Sequence, residues 1–346
     1  MHEYNGGPLR RSVNSYDYNR NYPAGWDRNT DQAAYPFEHP EMRALGEFLL
    51  TTPNIFAGID FHGGPPAILH PADMEGEEMK ESDLGIVLEI GRIGERITGI
   101  KLMSSPDYRD SWRGPSPRPG NSKDFGHYVL GASWYVIELG WGYSTAGIGT
   151  EEYYDATQEM REREFRREIM RFADDHAESD SRVLFVPWED YDHPQLGAVQ
   201  IGGLTRAATS HIYPPEMGKI AEKTTSFLLE HAAWHPQLLL DDLEATAVGS
   251  DLYRVRGRIA NIGRLATNVM STGLEARTHQ PVRVSVEQSG EIEIISRQRT
   301  MEFDSLGANG AFRPLEWFIA APAGTSVEIM ATHPRGGLCR ETVTLP

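Results

Sequence analysis

An α/β domain followed by a small all-β sandwich is the fold class this sequence predicts. Two short apolar runs, Asn54 to Phe61 (NIFAGIDF) and Trp134 to Leu139 (WYVIEL), read as buried strands rich in β-forming residues. Around them, Pro40 to Leu50, Glu151 to Ala177 and about Pro215 to Trp234 repeat apolar residues at helical spacing. Beyond about residue 238 the pattern changes to period two. The expected division is 1–238 for the α/β domain and 239–346 for the sandwich.

Each element has its own grounds. Residues 1–35 are rich in Asn, Gly, Tyr and Arg and predict loop, with a short strand near Asn14 to Tyr18. Pro40 suits a first helical turn, and Met42, Leu45 and Leu49 mark one face of that helix. Residues 63–72 (GGPPAILHPA) and 103–124 read as loops from their Gly, Pro and Ser content, the second long enough to suggest a functional role. Glu151 to Ala177 predicts one long helix with Phe165, Ile169 and Phe172 inward. Glu159–Arg163 and Glu162–Arg166 pair on its wet side. The next helix sets Met217, Ile220, Phe227, Leu228 and His231 on one face, and Pro236 stops it.

In the last segment Tyr253, Val255, Gly257 and Ile259 alternate with Arg254, Arg256 and Arg258. Val282, Val284 and Val286 lead through Ser289-Gly290 into Ile292 and Ile294, which predicts a hairpin. Leu315 to Ile319, Val327 to Ala331 and Thr342 to Leu345 complete a set of roughly seven strands, as a sandwich needs.

Composition narrows the function classes. The apolar fraction of 39% supports a globular core, and the formal net charge of −17 argues against a nucleic-acid backbone as partner. No apolar run reaches the roughly 18–20 residues that span a bilayer. Cys339 is the single cysteine, so no intrachain disulfide is possible. Met1 to Arg11 contain no apolar signal-peptide core, which leaves the compartment open.

Three islands carry chemistry. Asp17-Tyr18-Asn19-Arg20-Asn21-Tyr22 places an acid, an amide and a guanidinium within four residues. Arg is suited to bidentate recognition of a carboxylate, though an Asx turn accounts for the same residues equally well. Ile59-Asp60-Phe61-His62-Gly63-Gly64 sends a His from a strand end into a Gly-rich loop, where α/β sheets build sites. A lone His is still more often structural. Val136-Ile137-Glu138-Leu139 places a carboxylate inside an apolar strand, which is costly without a partner or a task. A salt-bridged structural Glu is the competing explanation.

In their order and spacing these islands resemble the zinc metallocarboxypeptidases. That family has a D-x-N-R-N-F/Y segment, then a strand ending in a zinc-ligand His, then a catalytic Glu on a late strand. Finer spacings agree: Leu69-His70-Pro71 closes nine residues after His62, and Asp124-Phe125 stands fourteen before Glu138. The stretch Leu196 to Gly203 is similar to a bacterial branch that continues into a C-terminal β domain. The resemblance covers roughly residues 10–240. It implies a mixed central sheet flanked by helices, and zinc as cofactor with His62 as a ligand. It also implies Glu138 as general base, Asn19 and Arg20 on the substrate's terminal carboxylate, and Asp17 orienting a ligand His. Arg11, or less favourably Arg10, would stabilise the oxyanion. Lys123 would sit at the base of the specificity pocket and favour an acidic C-terminal side chain. Peptide C-termini, cell-wall peptides among them, are the implied partners, and a secreted or periplasmic full-length form fits that reading.

The resemblance has gaps. The family's other two zinc ligands come from an upstream H-x-x-E motif. None of the twelve His here is followed by Glu at the third position. The central sheet is therefore expected to be N-terminally incomplete, and the chain inactive by itself. Ser116 also stands where the family carries its substrate-closing Tyr; Tyr108 or Tyr128 could serve instead. Two alternatives to the peptidase follow: a metal-free relative that binds a carboxylate or peptide, and a deacylase of N-acyl amino acids.

Overall fold

A computed structural model describes residues 3–4, 7–8, 16–26, 34–71, 79–110, 120–176, 184–205, 208, 212–287 and 292–346. The chain divides into two compact units. The first comprises 1–58, 119–133 and 230–346, and the second 59–118 and 134–229. Strands β1 (Glu3–Tyr4) and β2 (Gly7–Pro8) form a short antiparallel ladder.

The second unit is built on a four-stranded mixed sheet. Its strands are β3 (Ala57–His62), β4 (Ala67–His70), β5 (Leu102–Ser104) and β6 (Ser133–Glu138), in the order β3-β6-β4-β5. β4 runs parallel to β5 and antiparallel to β6. Every residue of β6 is buried, as the apolar run WYVIE requires. The Glu81–Thr98 helix meets this sheet at Gly91 and the Met217–Ala232 helix at Gly94. A Cβ on Gly91 would meet Leu102 Cδ1 at 2.5 Å, and one on Gly94 would meet the Phe227 ring at 2.7 Å. Tyr135 Oη donates to the Val87 carbonyl at 2.7 Å. Gly99 ends the helix in the left-handed conformation. A hairpin follows farther along, β7 (Phe185–His193) with β8 (Gly197–Leu204).

In the first unit, residues 238–346 form two four-stranded antiparallel sheets. One contains β9 (Leu238–Gly249), β10 (Leu252–Asn261), β12 (Glu293–Ile294) and β14 (Ala311–Ala320). The other contains β11 (Val282–Val286), β13 (Thr300–Phe303), β15 (Ser326–His333) and β16 (Gly337–Thr344). Tyr253, Val255 and Ile259 face inward with Val284, Ile329 and the fully buried Trp317. Segment 120–133 is tied to the loops of these sheets. Thr272 and Thr278 hydroxyls donate to the His127 and Val129 carbonyls. Arg335 donates to the Leu130 and Gly131 carbonyls.

Several expectations need correction. Asn14 lies outside the described residues, and Tyr18–Arg20 form a 3₁₀ turn instead of a strand. Residues 63–72 contain β4, because AILH can bury all four side chains. The stretch 103–124 contains most of β5 and the Ser105–Asp110 helix; 111–119, with Ser116, are outside the described residues. The helix at 151–177 is broken: Ala156 and Thr157 are extended, and Thr157 caps a new start at Gln158. Glu159 pairs with Arg163 as expected, but Glu162 accepts from Gln158 rather than pairing with Arg166. Phe165 and Ile169 are buried, whereas Leu45, Met217 and Leu228 are exposed. Thr224 takes a buried place beside Phe227 and His231, because one helix face is narrower than the apolar set. The 282–294 hairpin is also absent: β11 pairs with β13 and β15, while β12 joins β14 in the other sheet.

Candidate active site

In the second unit the chemistry gathers at the ends of neighbouring strands. His62 is the last residue of β3, and Glu138 the last of β6. Leu139 N–H donates to the His62 carbonyl at 2.9 Å, which holds the two ends level. His62 Nδ1 stands 3.7 Å from Glu138 Oε1. Glu138 is only 8% exposed, so its carboxylate sits where an isolated charge would be expensive.

Gly64 closes the floor. A Cβ there would fall 2.6 Å from Glu138 Oε2 and 2.9 Å from Tyr108 Oη. The carboxylate and the phenol therefore converge on a position that only glycine leaves open. Tyr108, on the Ser105–Asp110 helix, is buried and donates to the Pro65 carbonyl at 3.3 Å. Gly140, at φ +113°, lets the chain turn away just past Glu138. On the same sheet Trp134 Nε1 donates to Asp60 Oδ2 at 3.2 Å.

The first unit holds the carboxylate-recognition candidates. Asp17 accepts from Asn19 N–H at 3.1 Å and caps the 3₁₀ turn. Arg20 lies 3.7 Å from Asp17 and donates to the Asn19 carbonyl. Asn19 Oδ1 accepts from Ser122 N–H at 2.8 Å, and Tyr22 N–H donates to the Gly120 carbonyl at 2.9 Å. These bonds lay segment 17–26 against 120–124. Lys123 is buried, at 3% exposure, with Nζ 2.8 Å from Asp124 Oδ1 and 3.1 Å from Asn121 Oδ1. Its charge is already compensated. Arg11 and Arg10 lie outside the described residues. Tyr128 stacks edge-on against His127.

A zinc ion normally takes three protein ligands and keeps a fourth position open. His62 and Glu138 offer two donor side chains. Among the described residues no group of three His, Cys, Asp or Glu could hold a metal. The described residues by themselves do not make a zinc centre.

Two features escaped the sequence reading. Asn121 bonds Lys123, Asp124 N–H and the Asp124 carboxylate, organising the whole 121–124 turn. The Gly64–Tyr108 approach joins residues far apart in the chain. The doubled glycine after His62 was its sole trace.

Two family models match parts of the chain. Residues 3–172 match the zinc carboxypeptidase family. Residues 237–344 match a domain of unknown function. A search of curated proteins finds no match. That family hydrolyses peptides with zinc, and among the described residues no helix is long and apolar enough to cross a membrane. Over residues 3–172, this chain is similar to the zinc carboxypeptidase family.

Proposed function

We propose that this chain acts on the free C-terminal ends of peptides, cell-wall peptides among them, releasing the terminal amino acid. The adjacency of His62 and Glu138 at the ends of β3 and β6 carries this reading. In it, Asn19 and Arg20 engage the substrate's terminal carboxylate, with Arg20 aimed by Asp17. Glu138 takes the proton from the attacking water and passes it to the departing amine. Its burial keeps bulk water from competing for that proton. Arg11 stabilises charge on the carbonyl oxygen. Lys123 favours an acidic terminal side chain, tempered by Asp124, which already neutralises it. A zinc centre requires donors beyond the described residues.

A second reading is a metal-free protein that binds peptide carboxylates. The Asn19–Arg20 pair, suited to a carboxylate without any metal, supports it. The experiment measures zinc content, then hydrolysis and binding of N-blocked dipeptides with a free or amidated C-terminus, with and without added Zn²⁺. Zinc-dependent hydrolysis that falls roughly 10²–10⁴-fold in Glu138→Gln supports the peptidase. Binding of the free acid without turnover, unchanged by Glu138→Gln, replaces it with the second reading. Faster cleavage of N-acyl amino acids than of peptides makes the chain a deacylase. Equal treatment of free and amidated termini overturns both main readings.

A further inference from the structure

The first unit contains a cavity of about 170 Å³ whose wall includes Leu50, Thr52, Ile55, Leu130, Thr278 and Arg335. That is the volume of roughly five or six liquid waters. Groups of opposite polarity line it.

Arg335 is the positive one. The residue is 8% exposed. Its Nη1 donates to the Gly131 and Asn268 carbonyls, both at 3.0 Å, and its Nη2 to the Leu130 carbonyl at 2.6 Å. Those acceptors are neutral, and they use three of the five guanidinium donors. Among the described residues no carboxylate pairs with it, although the sequence carries 50 Asp and Glu against 33 Lys and Arg. Buried charges are normally paired. Burial pushes the Arg335 pKa down to about 10, so the group is still a cation at neutral pH.

The C-terminal turn of the Pro40–Thr51 helix is the negative one, since a helix C-terminus carries partial negative charge. No basic residue lies in that turn. Pro53, four residues beyond Leu49, has no N–H to return to the Leu49 carbonyl. The Thr51 and Thr52 hydroxyls spend their protons on the Glu47 and Phe48 carbonyls, which leaves their oxygens as acceptors. Leu50, Ile55 and Leu130 supply the apolar surface of the wall.

We propose that this cavity binds a free aliphatic α-amino acid, with its carboxylate on Arg335 and its ammonium toward the C-terminal turn of the Pro40–Thr51 helix. A simple carboxylate satisfies one end and a simple amine the other; a zwitterion satisfies both. An exopeptidase releases such a molecule, but the site stands on its own geometry and does not require that reaction.

The test is calorimetric titration of the full chain with L-leucine, 4-methylpentanoate and 3-methylbutylamine. Leucine is expected to bind at least ten-fold more tightly than either analogue. Leu50→Trp fills the cavity from an exposed position and is expected to weaken leucine binding at least ten-fold with the melting temperature held. Arg335→Gln is expected to weaken it similarly. Arg20→Gln, at the proposed peptide site, is expected to leave leucine affinity unchanged. Absence of leucine binding, equal affinity for all three compounds, undiminished binding in Leu50→Trp, or loss in Arg20→Gln overturns the proposal. Leucine binding without peptide hydrolysis keeps this site and removes the peptidase reading alone.

Discussion

Gly64 stands so close to Glu138 that a methyl group at position 64 would come within 2.6 Å of the carboxylate. Gly64→Ala must therefore push Glu138, Tyr108 or the loop itself out of place. Overpacking of this kind costs about 1–3 kcal/mol. Urea unfolding is expected to show that loss, and peptide turnover or binding is expected to fall with it. An alanine variant with unchanged stability and function would show that the approach has no consequence.

Asn19 joins two segments that are distant in sequence. Its side-chain oxygen takes the Ser122 N–H at 2.8 Å. Asn19→Ala leaves that donor unpaired in a half-buried place, at a cost of about 1–3 kcal/mol. Asn19→Asp keeps an acceptor and is expected to restore most of it. Chemical denaturation of the two variants, compared with affinity for a peptide bearing a free C-terminus, checks both halves.

Lys123 and Asp124 form a pair withdrawn from solvent, their side chains 4% and 15% exposed. Lys123→Met removes one partner and leaves the other's charge uncompensated, a change that costs about 3–5 kcal/mol in buried pairs. The double variant Lys123→Met/Asp124→Leu is expected to recover part of the loss. On the substrate side, turnover of peptides ending in Glu, Leu and Arg checks the acidic preference. Comparable rates for all three would remove it.

Acid sensitivity follows from two buried histidines. Burial lowers the pKa of His231 from 6.5 to about 4, and does the same for His333, where Arg335 adds to the effect. The fold binds fewer protons than the unfolded chain between those values, so each contribution is complete above pH 6.5 and fades as pH falls toward 4. The loss is about 3 kcal/mol for each group at the low end. Unfolding midpoints at pH 7.5 and 5 are expected to differ in that direction. His231→Gln, which keeps a partner for the Ser133 hydroxyl 2.8 Å away, is expected to flatten the slope.

Strands and helices with one dominant periodicity were legible in the sequence. NIFAGIDF and WYVIEL read as strands from their β-forming residues, but only the second is wholly buried: β3 is half-buried and Phe61 on it is exposed. Tyr253, Val255 and Ile259 read as a sandwich strand because alternation puts every second side chain inside. The Glu81–Thr98 helix went unread, its apolar face being spaced out by Gly85, Gly91 and Gly94. Gly91 and Gly94 make sense only beside Leu102 and Phe227, which come close in the folded chain.

By itself the sequence determined the order of the chemical groups: an Asp-x-Asn-Arg turn, a His leaving a strand, and a Glu inside another. It also determined that an all-β segment follows, since a two-residue period is local information. Tertiary structure alone decided that Glu138 stands level with His62, that Gly64 must be bare beneath it, and that β11 pairs with β13 and β15. It alone decided that Lys123 spends its charge on Asp124. These are relations between side chains and strands, set by which surfaces pack, and a one-dimensional pattern records neither distance nor burial.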